Sequence, residues 1–136
     1  MVELHGWATL RENYAADDEE SHIEQIVASL IQKINEMDMD RTSLQINYSN
    51  GEALVTAAKF TNHFSEDIKG IVEFFRQMAL LAPGSYGLLY LHDDEDGDGF
   101  DNAFQVFVLA KGNFTLREDP FLSPYSPTVE EISEGG

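Results

Sequence analysis

The chain has 136 residues, of which 43% are hydrophobic and 24% charged, a composition typical of one folded domain rather than a disordered segment. Eight Lys and Arg stand against 25 Asp and Glu, so the formal net charge is −17. That sign argues against a nucleic-acid partner and against an anionic membrane surface, and no apolar run approaches the ~20 residues of a membrane span.

The chain contains no Cys, which excludes a disulfide framework and a thiolate zinc site. The N-terminal stretch MVELHGWATLREN has neither the basic start nor the apolar core of a secretory signal. A cytoplasmic location is the simplest interpretation.

Two segments near the start of the chain carry clear patterns. Residues 2–10, VELHGWATL, mix β-branched, aromatic and small side chains and predict a strand. Within residues 15–40, apolar side chains recur at helical spacing, which predicts an amphipathic helix. The residues of that stripe are Ile23, Ile26, Val27, Leu30, Ile31, Ile34 and Met37.

A hairpin and a second helix are expected next. Residues 44–48 alternate apolar and polar side chains and lead into the Asn-Gly dipeptide at 50–51, which suits the positive φ angles of a two-residue turn. Ser65 is placed to cap the second helix, and the Pro-Gly dipeptide at 83–84 ends it.

Three further strands are predicted in the second half of the chain. SYGLLYLH at 85–92 is apolar on both pleat faces, which is typical of a central strand that is covered on both sides or closed over by a tail. We therefore expect Tyr86 and Tyr90 in the core. AFQVFVLA at 103–110 and NFTLR at 113–117 predict the last two strands, joined by a Lys-Gly turn.

The order of these elements, β-α-β-β-α-β-β-β, lacks the regular alternation of a parallel sheet. It predicts an α+β fold in a single domain, with a mostly antiparallel sheet of about six strands and both helices packed on one face. We assign residues 1–118 to this domain and residues 119–136 to an extended C-terminal strap and tail that belong to it. Phe121 and Leu122 of the strap are expected to pack on the core.

The stretch DDEDGDGFD at 93–101 sets six carboxylates between two apolar runs. Asp94, Asp96, Asp98 and Gly99 match the opening of a D-x-D-x-D-G calcium loop, but Gln105 stands where that loop needs a bidentate carboxylate. The flanks are predicted strands rather than the helices of that motif. A calcium-dependent binding module that uses the 94–105 loop is the alternative interpretation, and we assign no metal site.

No combination of residues points to an enzyme. General acid–base catalysis needs carboxyl groups in different environments, whereas adjacent acids on an exposed loop stay ionised together. The sequence has no H-E-x-x-H spacing, no G-x-S-x-G turn and no Gly-rich phosphate loop. His92 beside Asp93 is the one pairing of interest. A metal-assisted hydrolase is a third alternative, but we predict no catalytic residue and no cofactor.

Charge is the feature that needs an explanation. Six carboxylates within nine residues create a negative potential that extends about a Debye length, roughly 8 Å at physiological salt, and speeds encounter with a basic surface. Nucleases expose such surfaces because they hold the phosphate backbone. The loop therefore favours a protein that fills the basic cleft of such an enzyme. Trp7 is either an anchor of the contact or a packing residue.

Four segments together have the order and spacing of a known family: HGWATLRE at 5–12, YGLLYLHDDE at 86–95, FQVFVLAKG at 104–112 and DPFLSP at 119–124. They resemble the signature segments of immunity protein family seven from bacterial polymorphic toxin systems. The resemblance implies a small cytoplasmic α+β protein, encoded beside a secreted or contact-delivered toxin, that neutralises the toxin by tight non-covalent binding without turnover.

The leading hypothesis is an immunity protein that binds and inhibits a cognate toxin domain, a basic nuclease, by occluding its active site or substrate path. Three groups of residues are candidates for the contact: the acids of the loop, a second acidic patch before the first helix, and two aromatic anchors. They are Asp93, Asp94, Glu95, Asp96, Asp98 and Asp101; Asp17, Asp18, Glu19 and Glu20; and Phe100 and Tyr14.

Overall fold

The computed structural model describes residues 1–13, 22–40 and 42–126. Within these ranges the chain forms two helices and six strands in the predicted order. They are β1 (Val2–Thr9), α1 (Ile23–Glu36), β2 (Leu44–Ser49), β3 (Glu52–Thr61), α2 (Glu66–Leu81), β4 (Tyr86–Asp93), β5 (Gln105–Ala110) and β6 (Asn113–Glu118). The predicted α+β class is confirmed.

The strands form an antiparallel sheet in the order β2-β3-β1-β4-β5-β6. β1 and β4 lie at its centre, paired from Val2 opposite Asp93 to Thr9 opposite Tyr86. This pairing places the end of β4, where the acidic stretch begins, beside the first residues of the chain.

Both predicted two-residue hairpins are confirmed. Asn50 and Gly51 have φ angles of 53° and 82° between β2 and β3, and Lys111 and Gly112 have φ angles of 53° and 78° between β5 and β6. Positive φ at both central residues matches the twist of the flanking strands.

The two helices are embedded to different depths. α2 begins where predicted, because the Ser65 hydroxyl oxygen accepts a hydrogen bond from the Ile68 N–H at 3.3 Å. In α1 the fully buried members of the predicted stripe are Val27 and Leu30, whereas Ile31 is 39% exposed. α2 contributes six buried residues, so it carries most of the helical side of the core.

The core lies between the helices and one face of the sheet. Successive strand residues point to opposite faces, and alternate residues of β1, β3 and β4 are buried against the helices. The largest fully buried side chains come from both helices and this face: Phe75, Leu4, Leu10, Leu30, Leu44, Ile68, Ile71, Met78, Leu89 and Leu109. Both helices therefore cover the same face, as predicted.

The segment 119–126 lies against one end of the other face. The Tyr125 ring stacks on the His92 ring with centroids 4.0 Å apart, and the Tyr125 N–H donates to the Asn102 carbonyl at 2.9 Å. The prediction that Phe121 and Leu122 pack on the core is wrong, since these residues are 82% and 52% exposed.

Asp119 gives the physical reason for that difference. Its buried carboxylate accepts hydrogen bonds from the N–H groups of Phe121 at 3.2 Å and Leu122 at 2.5 Å. The chain turns around this carboxylate, as aspartate side chains often make it do. Tyr125 therefore reaches the sheet, and the two apolar side chains before it stay in contact with solvent.

Candidate functional site

The acidic loop, residues 93–101, leaves the central strand β4 and uses two of its own acids to fix its backbone. The Asp93 carboxylate accepts a hydrogen bond from the Glu95 N–H at 2.9 Å. The Asp96 carboxylate accepts from the N–H groups of Asp98 at 2.8 Å and Phe100 at 3.0 Å. Asp93 and Asp96 are half-buried and act as structural acids of the loop.

Two further acids pair with groups that flank the neighbouring strands, one just before β1 and one just after β3. The Met1 ammonium lies 2.5 Å from an Asp94 oxygen, and His63 Nδ1 lies 2.6 Å from a Glu95 oxygen. The hydrogen bond from the ammonium lowers the pKa of the Asp94 carboxyl group, and the same bond raises the pKa of the Met1 amine. These groups are exposed, so the pairs orient the loop but add little to stability.

The far end of the loop is held from beneath by His92. Its Nε2 lies 2.8 Å from the Asp101 carbonyl oxygen, and the side chain is only 3% exposed. His92 does not pair with Asp93, because consecutive strand residues point to opposite faces of the sheet. The Asp98 and Asp101 side chains stay exposed on the outside of the loop.

The acidic loop forms one wall of a groove of about 650 Å³. Asp96 and Asp98 stand on this wall, and α2 supplies Lys69 and Arg76 opposite them. The apolar residues that line the groove are Phe64, Val72, Leu91 and Phe107. Glu66 and Glu73 of α2 also line the groove, which therefore has an apolar floor and charges of both signs.

The described residues contain no cluster of three or more His, Cys, Asp or Glu side chains that could hold a metal ion. Asp94 and Asp96, two positions of the calcium pattern, are engaged by the Met1 ammonium and by backbone N–H groups. Gln105 lies in β5, and the loop is flanked by strands as predicted.

Part of the predicted site cannot be placed. Tyr14 and the second acidic patch, residues 17–20, lie outside the described residues. Phe100 is half-buried within the loop, where its N–H bonds to Asp96.

The prediction that Tyr86 lies in the core is wrong. Tyr86, expected in the core, is 44% exposed, and Trp7 beside it is 45% exposed. Their rings meet edge to face with centroids 6.2 Å apart. Tyr90 is half-buried, and burial together with the nearby Asp119 carboxylate raises its pKa. The exposure of Trp7 and Tyr86 could have been predicted, because two helices on one face of the sheet leave the opposite face without a helix to cover it.

Comparison with known proteins gives a family. A family model described as Immunity protein 7 matches residues 1–131. Neither a curated protein nor a solved structure gives a significant match. In the part of the chain that the structure describes, neither helix is long and apolar enough to cross a membrane.

Proposed function

The chain belongs to the immunity protein 7 family and is therefore an immunity protein directed against a toxin; from this premise we propose that the toxin is a basic nuclease. The acidic loop contacts the positive surface with which the nuclease holds its substrate, and the bound chain occludes the active site or the substrate path. The proposed role has no catalytic step and is exerted in the bacterial cytoplasm, where a delivered nuclease meets its substrate.

The observation that carries this proposal is the distribution of negative charge. The chain has a net charge of −17, and Asp94, Glu95, Asp98 and Asp101 present exposed carboxylates from a single loop. Their combined potential attracts a basic surface and repels nucleic acid. Asp93 and Asp96 support the proposal indirectly, because their hydrogen bonds hold the loop in shape.

Aromatic residues are proposed to add desolvated contact area to this acidic surface. Phe100 lies within the loop, and Tyr14 with residues 17–20 forms the second proposed contact. Exposed charges at the rim of an interface mainly raise the association rate and improve specificity, whereas buried aromatic side chains slow dissociation. Both kinds of contact are needed for tight inhibition.

A test neutralises the four exposed acids of the loop and leaves its two structural acids intact. The variant carries Asp94→Asn, Glu95→Gln, Asp98→Asn and Asp101→Asn. We expect its association rate with the purified toxin domain encoded beside this chain to fall about tenfold or more at low salt. The rate should also depend less on salt concentration. Stopped-flow fluorescence at several salt concentrations measures both quantities.

The matched control removes the same number of charges elsewhere, with Glu36→Gln, Asp38→Asn, Asp40→Asn and Glu52→Gln, all at exposed positions. Its association rate should stay within about threefold of the wild-type rate, because charges far from the contact are screened. An acidic-loop variant that associates like the control, with unchanged salt dependence and equal protection of cells, would remove the loop from the mechanism.

A further inference from the structure

The face of the sheet opposite the helices carries exposed aromatic side chains. Trp7 of β1 and Tyr86 of β4 are 45% and 44% exposed, and Phe60 of β3 is 58% exposed. Strand pairing places Trp7 opposite Leu88 and Thr56, so the aromatic rings lie over the central strands β3, β1 and β4. We call this surface, centred on Trp7, Tyr86 and Phe60, the aromatic face.

The rings of the aromatic face are already ordered. Trp7 and Tyr86 pack edge to face at an interplanar angle of 85°, and His5 packs edge to face on Phe60 with centroids 5.6 Å apart. His5 Nε2 also lies 2.8 Å from a Glu3 oxygen. Rings held in this way lose little conformational freedom when a partner covers them, which favours tight binding.

The segment 119–126 covers only one end of this face. Tyr125 stacks on His92, which lies in the row of β1 and β4 that contains Glu3. No segment in the described part of the chain covers Trp7 and Tyr86 as Tyr125 covers His92: they are 45% and 44% exposed, whereas His92 is 3% exposed. The paired positions around Trp7 and Tyr86 are uncharged, namely Thr9, Leu54, Thr56 and Leu88, whereas Glu3 and His5 lie toward the covered end.

The size of the face suits a protein partner. β1 and β4 are paired from Val2 to Thr9, a length of about 23 Å at ~3.3 Å per residue. Six strands at ~4.8 Å spacing give a width of about 24 Å, so this whole side of the sheet, including the end that residues 119–126 cover, spans on the order of 550 Å². A standard interface uses about 800 Å² of each partner, so this side of the sheet and the acidic loop that follows β4 fit within one contact.

Charge decides which partner fits. A second copy of this chain would bring two molecules of net charge −17 together, and an anionic membrane would repel the chain in the same way. A positively charged protein is attracted instead. Interfaces place aromatic residues at a centre depleted in charge and polar groups at the rim. Trp7 and Tyr86 form such a centre, and the acidic loop leaves the other end of β4, about 23 Å along the strand from Tyr86.

We propose that the aromatic face is the surface on which the positively charged toxin docks, with Trp7 and Tyr86 as the central anchors. This inference rests on the proposed function and names the surface that holds the toxin. The acidic loop, at the end of the same central strands, guides the approach, while the aromatic pair sets the lifetime of the complex.

The test measures the dissociation constant and both rate constants for the purified toxin domain encoded beside this chain. Trp7→Ala and Tyr86→Ala should each weaken binding by about 30-fold to 100-fold, mainly through faster dissociation. Thr56→Arg places a positive charge opposite Trp7 without removing any packing, and it should weaken binding at least tenfold. The matched control is Leu80→Ala, since Leu80 is 76% exposed on α2.

The outcomes separate this inference from the proposed function. If wild type neutralises the toxin and all three variants bind as tightly as Leu80→Ala, the aromatic face is not the docking surface, although the proposed function stands. If wild type does not bind the toxin, both fail. Sedimentation of wild type alone tests a second copy as occupant: a dimer that Thr56→Arg dissociates would overturn the inference.

Discussion

Replacement of Gly87 by Ala is expected to lower the free energy of unfolding by at least about 3 kcal/mol, which is enough to leave much of a marginally stable protein unfolded. A Cβ atom at this position would overlap the backbone carbonyl oxygen of Trp7 and the Cα atom of Ala8. Gly87 pairs with Ala8 at the centre of the sheet, so relief of the overlap requires separation of β1 from β4. Urea unfolding followed by circular dichroism measures the loss.

Gly97→Ala is the matched control, because a Cβ atom there meets nothing within 4 Å. Its free energy of unfolding should stay within about 0.5 kcal/mol of wild type. If Gly87→Ala unfolds at the same urea concentration as Gly97→Ala, the backbones of β1 and β4 do not approach each other closely at this point.

Replacement of Asp119 by Ala is expected to cost about 2–4 kcal/mol. The buried carboxylate accepts the N–H groups of Phe121 and Leu122 and lies 3.4 Å from the Ser123 hydroxyl, and Ala leaves these donors without their acceptor. Amide hydrogen exchange should accelerate at residues 121–125, since the segment loses its anchor. Urea unfolding gives the free energy, and exchange detected by mass spectrometry locates the change.

The neighbouring acid supplies the control for this substitution. Glu118 is exposed at the end of β6, so Glu118→Ala should change stability by less than about 0.5 kcal/mol and leave exchange at 121–125 unchanged. Equal effects of the two substitutions would mean that the Asp119 carboxylate does not anchor the segment.

Features decided by near neighbours could be predicted from the sequence. The Asn-Gly turn at 50–51, the cap at Ser65 and the apolar stripe of α1 each depend on residues within a few positions of one another. The pairing of β1 with β4 could not be predicted in this way, because no local signal specifies a partner so distant in the chain. That pairing also creates the contact between Met1 and Asp94.

The errors have the same origin. Phe121 and Leu122 were expected on the core because they are apolar, but their backbone is bound by Asp119, and Tyr125 reaches the sheet instead. Tyr86 was expected in the core because β4 is apolar on both faces, yet no described helix covers its side of the sheet. In each case a tertiary contact overrode a local preference.

The candidate site was predicted only as a position in the chain. The location of the acidic loop between two strands is confirmed, but the uses of its carboxylates depend on folding. Asp96 binds backbone within the loop, whereas Glu95 reaches His63, a residue that follows β3. The sequence alone cannot distinguish the six acids of the loop from one another. In the structure, Asp93 and Asp96 shape the loop and the other four are exposed.

The most direct measurement is a titration of the nuclease activity of the purified cognate toxin domain. We expect hydrolysis of nucleic acid to fall to background at an equimolar amount of the chain, and we expect high salt to slow the onset of inhibition. A toxin domain that hydrolyses no nucleic acid, or one that keeps full activity in an excess of the chain, would contradict the proposed role.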